Sequence, residues 1–308
     1  MGWFRALTMA GMLMGPVVAQ AATGLQWQWP EETKRRYRVK SDISLHGAIM
    51  MEAEYNRSAR VYDLAIAMDV DCTPSRVGKT FELLCAIDKV QMQAGGEDDG
   101  NLLEILQEWA SKLEEAEVLL LLSADGKVKQ VDLRGMNERN QRIRRIKETL
   151  HAFVTRMFST FDLQLPKGGD DEGEAWKQRS ELVLQLPLLT GGAGSSQLSS
   201  SATEEEGSNV VIDTTGRASL MIGQQITGPG DTRPPDVFDL TLSSRSVFDT
   251  EQGLLTSRAM QVRGDLTPSS GSAMGRAPAP YLFAAELQYV PPGTAMPNLG
   301  PTKVRPMK

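Results

Sequence analysis

The stretch Tyr62-Asp63-Leu64-Ala65-Ile66-Ala67-Met68-Asp69-Val70-Asp71-Cys72, followed by Phe81-Glu82-Leu83-Leu84-Cys85-Ala86-Ile87, decides the fold. In the first run Tyr62, Leu64, Ile66, Met68, Val70 and Cys72 recur at every second position, while Asp63, Asp69 and Asp71 fall between them. That is the pattern of a strand with one buried face. In the second run Phe81, Leu83, Cys85 and Ile87 share a face. A hairpin connection over Thr73 to Thr80 turns both sulfurs to the same apolar side, within a few residues of being opposite. Cys72 and Cys85 are therefore expected to form a structural disulfide, worth on the order of 3 kcal/mol for a short closed loop. A pair of buried free thiols is the other reading. The spacing is not C-x-x-C, which argues against a redox pair, and two cysteines do not make a metal site.

Working outward, Tyr37, Val39, Ile43 and Leu45 alternate with polar residues, and Ala48 to Tyr55 continues after Gly47. The first third thus reads as an antiparallel meander, because its connections leave no room for crossover helices. Leu102, Ile105, Leu106, Trp109, Leu113 and Ala116 recur at helical spacing. A strand at Val118 to Leu122 turns at Ala124-Asp125-Gly126 into Val128 to Leu133. A second helix is predicted to start near Met136 and to end at Pro166, burying Ile143, Ile146, Leu150, Phe153, Met157 and Phe161. Strands are predicted again over 181–186, 210–213, 218–222, 237–248, 254–263 and 281–290, with Thr215-Gly216 and Glu251-Gln252-Gly253 as turns. Residues 190–208 and 264–279 read as flexible loops and 291–308 as a disordered tail. No fixed-period repeat is present.

These elements predict an α+β fold: a curved, mostly antiparallel β-sheet, half-barrel-like, with two amphipathic helices packed on its concave face. Residues 22–290 form the expected single domain.

The first residues carry one positive charge, Arg5, then an apolar stretch from Ala6 to Val18 and the small residues Ala19 and Ala21. This is a signal-peptide pattern over residues 1–21, and it predicts a periplasmic or secreted protein. Neither cysteine lies near the cleavage site, so no lipid anchor is expected there, and no later stretch is long and apolar enough for a transmembrane helix. Loss of Arg5 leaves 32 basic against 39 acidic side chains, a net charge of −7. Nucleic acid is not an expected partner of so acidic a chain.

Chemistry-bearing motifs are sparse. Arg76-Val77-Gly78-Lys79-Thr80 resembles the end of a phosphate loop, but Thr73 stands where the first glycine belongs, so it reads as a hairpin turn. His46 and His151 are the two histidines, and nothing beside either suggests a catalytic site. The acidic loops Glu97-Asp98-Asp99 and Asp170-Asp171-Glu172 lack the alternating ligand spacing of a calcium loop. The Arg139 to Lys147 cluster reads as a solvated helix face, with docking to acidic headgroups as its functional alternative. No metal and no cofactor is expected. The two long amphipathic helices and the polar C-terminus argue against an outer-membrane barrel.

The order of elements resembles the half-barrel of periplasmic lipoprotein carriers and related lipid-binding proteins. Phe161-Asp162-Leu163-Gln164-Leu165-Pro166 followed by Glu174-Ala175-Trp176, and Ser246-Val247-Phe248-Asp249-Thr250-Glu251-Gln252-Gly253-Leu254-Leu255, resemble phrases of uncharacterised exported proteins of myxobacterial type. By analogy with the carriers, the expected function is non-enzymatic: holding a lipid, acyl chain or lipidated peptide in an apolar cleft between sheet and helices. Candidate lining residues are Met68, Leu83, Trp109, Phe153 and Met157, for which plain core packing is the competing role. A cell-envelope protein-interaction or assembly component, with an envelope protein as partner, is the alternative. A hydrolase ranks third.

Overall fold

In the computed structural model, residues 25–45, 60–97, 102–136, 141–166, 175–179, 193–204, 207–222, 236–266, 279–295 and 298–305 are described. The expected signal peptide, the predicted strands at 48–55 and 181–186, His46, the loop at 170–172 and residues 267–278 of the predicted loop 264–279 lie outside them, as do the Arg142, Arg144 and Arg145 side chains; the described ends of that loop, 264–266 and 279, are strand.

The β2–β3 hairpin anchors the sheet. Strand β1 spans Arg35–Leu45, β2 Arg60–Val77 and β3 Thr80–Glu97. Only Gly78 and Lys79 lie between β2 and β3, with Gly78 at φ +63°, where an L side chain is strained. The turn is therefore tighter than the connection predicted from Thr73 to Thr80. It places Cys72 directly opposite Cys85, joined by a disulfide with a Cα–Cα distance of 3.9 Å.

Helix α1 (Leu102–Glu114) follows, then the β4 (Glu117–Ser123) and β5 (Val128–Arg134) hairpin and helix α2 (Gln141–Phe158). A 3-10 turn over Ser159–Phe161 closes α2, so the helix stops well before Pro166. The Ser159 and Thr160 hydroxyls bond back to the carbonyls of Arg156 and Met157, which competes with continued helix. The remaining strands are β6 (Trp176–Gln178), β7 (Ala193–Glu204), β8 (Asn209–Ile222), β9 (Asp236–Asp249), β10 (Leu254–Leu266), β11 (Ala279–Val290) and β12 (Lys303–Arg305).

Eleven of these form one open antiparallel sheet in the order β5-β4-β3-β2-β1-β11-β10-β9-β8-β7-β6. The first and last long strands meet in its centre, with Arg36 opposite Val290 and Leu45 opposite Tyr281. Each half then runs outward as a meander. Together with the two helices, this is a mostly antiparallel α+β fold.

Three expectations need correction. Residues 193–204, within the predicted flexible loop 190–208, are strand β7, paired with β8 along its whole length. The Gly/Ser composition that suggested mobility instead supplies small inward hydroxyls, Ser196 and Ser200, both fully buried. Thr215-Gly216 is no turn but the middle of β8, where a Cβ on Gly216 would lie 2.2 Å from the carbonyl of Gln197. Finally, the predicted disordered tail 291–308 contains β12, which pairs in parallel with Gln93–Gly95 of β3.

Candidate functional site

Strand alternation puts one face of every long strand into a common core. On β1, Tyr37, Val39 and Ser41 are buried on this face, whereas Lys40 and Asp42 are exposed. Helix α1 packs on β3, and α2 packs on β5 and β1. Trp109 of α1 meets Phe153 of α2 with ring centroids 6.2 Å apart. The 3-10 turn continues the cover onto β10 and β11, with Phe161 edge-on to Tyr37 at 5.1 Å.

The five candidate lining residues all fall in this core: Met68 and Leu83 at 0%, Trp109 and Met157 at 1% and Phe153 at 3% exposure. Met68 faces Val39 and Val90 across the sheet, and Leu83 faces Pro74 and Leu120, so the two sit in different cross-strand rows.

What sequence reasoning missed is the polar content of the same face. Arg156 of α2 is fully buried, its guanidinium 4.5 Å from the centroid of Phe283 on β11. Arg258 on β10 is 3% exposed and lies between Ser246 of β9 and Leu287 of β11. Its Nη1 donates to the carbonyls of Thr160 (3.3 Å) and Asp162 (2.8 Å), and its Nη2 to Ser244 Oγ (3.3 Å). Burial pushes its pKa down to about 10, against the pull of the Asp162 charge. Beyond Arg258 the face is lined by hydroxyls: Ser200 and Thr214 bond at 2.7 Å, and the Gln178 amide donates to Ser200. Ser41 Oγ, Thr155 Oγ1, Ser246 Oγ and Arg258 Nε are buried without a hydrogen-bond partner among the described residues.

The chain after α2 is held by its main chain. Trp27 Nε1 and Trp176 Nε1 donate to the carbonyls of Leu163 (3.1 Å) and Gln164 (2.8 Å), and the Leu165 N–H donates to the Asp125 carbonyl at 2.9 Å. Asp162 Oδ1 accepts the Val128 N–H at 3.0 Å, and His151 Nε2 lies 3.0 Å from the Val131 carbonyl. His151 thus covers the open edge of β5, a structural use of its ring.

Aromatic rings cluster where β3 begins and β9 ends. Trp27 stacks on Trp29 at 4.8 Å and meets Phe248 edge-on at 5.1 Å. Two turns fit closely around this cluster: a Cβ on Gly126 would lie 1.9 Å from Trp27 Nε1, and one on Gly253 would lie 2.3 Å from Gln28 Cγ.

Among the described residues no cluster of His, Cys, Asp or Glu is fit to hold a metal ion, and no helix is long and apolar enough to cross a membrane. The chain matches no family model and no curated protein.

Proposed function

We propose that this protein is a non-enzymatic carrier, acting in the periplasm or beyond, that holds a lipid, acyl chain or lipidated peptide between its sheet and its helices. The observation that carries the reading is the mixed lining of the covered face. Apolar side chains dominate beneath α1 and α2, while Ser246 Oγ of β9 and Arg258 Nε of β10 are buried without a hydrogen-bond partner among the described residues, as are Ser41 Oγ of β1 and Thr155 Oγ1 of α2. An amphiphile presents that same division, and a few polar groups in an apolar cleft fix a ligand's orientation.

Width supports the reading as well. Eleven strands at about 4.8 Å spacing would span roughly 50 Å if flat, whereas two helices cover roughly 20 Å. Leu198 of β7 and Leu240 of β9, on strands that do not pack substantially against α1 or α2 among the described residues, are nevertheless buried. Curling of the sheet into a half-barrel around the helices accounts for this, with its concave face toward them. The aromatic cluster occupies one end, so the ligand enters at the other, where β1 ends at Leu45 and β9 begins at Asp236. The acyl chain lies against Met68, Leu83, Trp109, Phe153 and Met157. The Cys72–Cys85 disulfide suits an oxidising compartment.

Native mass spectrometry of protein purified from a periplasmic extract, before and after denaturation, tests the proposal. A discrete, dissociable excess of lipid mass is expected. A bare polypeptide mass, unchanged after incubation with envelope lipids, would overturn it in favour of an envelope interaction component.

A further inference from the structure

Strand β4 pairs only with Thr80–Ala86 of β3, although β3 continues to Glu97. An uncovered strand edge is a template for another chain, and the outer N–H groups along this one are met by three separate devices. The Val90 N–H donates to Glu114 Oε1 at 2.9 Å, at the end of α1. The Met92 N–H donates to Thr302 Oγ1 at 3.2 Å. From Gln93 to Gly95 the partner is β12.

Two further features shape the contact. The Gln91 side-chain amide donates to the Pro301 carbonyl at 3.1 Å. Gly300, at φ +82°, would bring a Cβ within 3.1 Å of that amide. Helix α1 also touches β12, so the segment lies in a slot between the β3 edge and the helix. Charge is complementary: residues 291–308 hold Lys303, Arg305 and Lys308 and no acidic residue, whereas α1 holds Glu104, Glu108 and Glu114 against Lys112.

The pairing is parallel, alone among the described strand pairs, and three residues long. A hairpin does not bring a parallel strand to its place. The C-terminus thus docks as a separate extended peptide would, through main-chain hydrogen bonds and a few side-chain anchors.

We propose that the β3 edge from Val90 to Gly95 is a peptide-binding site, which the chain's own C-terminus fills in cis. Its ligand class is an extended, basic segment of a partner protein that reads Gly-Pro-(Ser/Thr)-x-Val and adds parallel to β3. The glycine turns beneath Gln91, the hydroxyl caps Met92 and the following residues extend the sheet. The docked tail competes with such a partner. This site is independent of whatever the covered face holds.

The test uses a fluorescent peptide of residues 298–308, and a scrambled peptide of the same composition, titrated into the full-length chain and its Lys303→Pro variant. The Val90 and Met92 N–H groups point outward from β3, and with Val304 opposite Ala94 this alternation turns the Lys303 N–H toward β3. Proline there removes a ladder N–H and is poorly tolerated inside a paired strand. A tethered segment competes at an effective concentration near the millimolar range. The variant is therefore expected to bind the peptide at least tenfold more tightly than the wild type, with the scrambled peptide failing on both. Equal affinity for the two chains, equal binding of the scrambled peptide, or no binding to a variant with wild-type circular dichroism would each overturn the proposal. Should Lys303→Pro lose that spectrum, Thr302→Ala serves instead. A gain of threefold or more is then expected, and no gain overturns it.

Discussion

The indole Nε1 of Trp27 donates to the main-chain carbonyl of Leu163 across 3.1 Å, joining residues 136 apart in the chain. The same ring stacks on Trp29 and rests on Gly126, so one side chain ties the N-terminal segment, the β4–β5 turn and the chain leaving α2. Trp27→Phe keeps most of the apolar contact and leaves the carbonyl without its donor. A loss of about 1–2 kcal/mol is expected in urea denaturation. Gly126→Ala should cost more, about 3 kcal/mol, because a Cβ there meets the indole and the +86° φ is strained as well. A Gly126→Ala variant of wild-type stability would show that the turn is not clamped.

Arg258 holds that same segment from the other side, through the Thr160 and Asp162 carbonyls. One nitrogen, Nη1, reaches both, while Nη2 reaches Ser244 Oγ; the fork of the guanidinium is what adds this third bond, and lysine lacks it. Arg258→Lys keeps a buried charge with fewer partners, and a cost of about 3 kcal/mol is expected. Arg258→Met removes the charge with the bonds and should cost less, about 1–2 kcal/mol. Chemical denaturation of both variants checks the order. If lysine proves the milder change, the charge itself rather than the fork stabilises the contact.

Where a side chain's own periodicity sets its environment, the sequence made the fold legible. The alternation from Tyr62 to Cys72 and the helical spacing of Leu102, Leu106, Trp109 and Leu113 reappear as β2 and α1. The cysteine pairing followed from the facing of the two strands and from the oxidising compartment that the signal-peptide pattern implies. Strand β7 stayed hidden because Ser196 and Ser200 look like linker residues, and only their burial against β8 and Gln178 distinguishes them. The segment from Ser159 to Leu165 is secured by its carbonyls, which carry no sequence signal. Of the site, the apolar candidates Met68, Leu83, Trp109, Phe153 and Met157 were readable as inward-facing. Arg156 and Arg258 were not, because an isolated arginine in a strand or helix ordinarily faces solvent.

On the opposite sheet face, Arg38 and Asp69 form a two-pronged pair at 2.7 and 2.8 Å, with the side chains only 9% and 4% exposed. They are direct cross-strand neighbours on β1 and β2. Asp69→Ala removes both of these bonds from a buried guanidinium, and a loss of about 3 kcal/mol is expected. Arg38→Met combined with Asp69→Leu should recover most of it. A double variant no more stable than Asp69→Ala would mean that the pair contributes net stability at this position.

Tyr37 lies at the junction of the two sheet halves, and burial pushes its phenol up to about 12, with the Arg35 guanidinium pulling the other way. The unfolded phenol ionises near 10, so the folded state keeps its proton through a window in which the unfolded state loses it. The stability this confers is complete below pH 10 and falls as pH rises from about 10 to 12. Arg258 acts with the opposite sign: its folded pKa is depressed, so the penalty for burying its charge eases above about pH 10. Total stability therefore conceals both effects, and the informative quantity is the difference between wild type and Tyr37→Phe. That difference should be constant from pH 7 to about 9.5 and then move against the wild type by on the order of 2 kcal/mol by pH 12. Urea denaturation of both chains across this range measures it. A difference that stays flat to pH 12 would place the Tyr37 hydroxyl in contact with water rather than beneath Phe161.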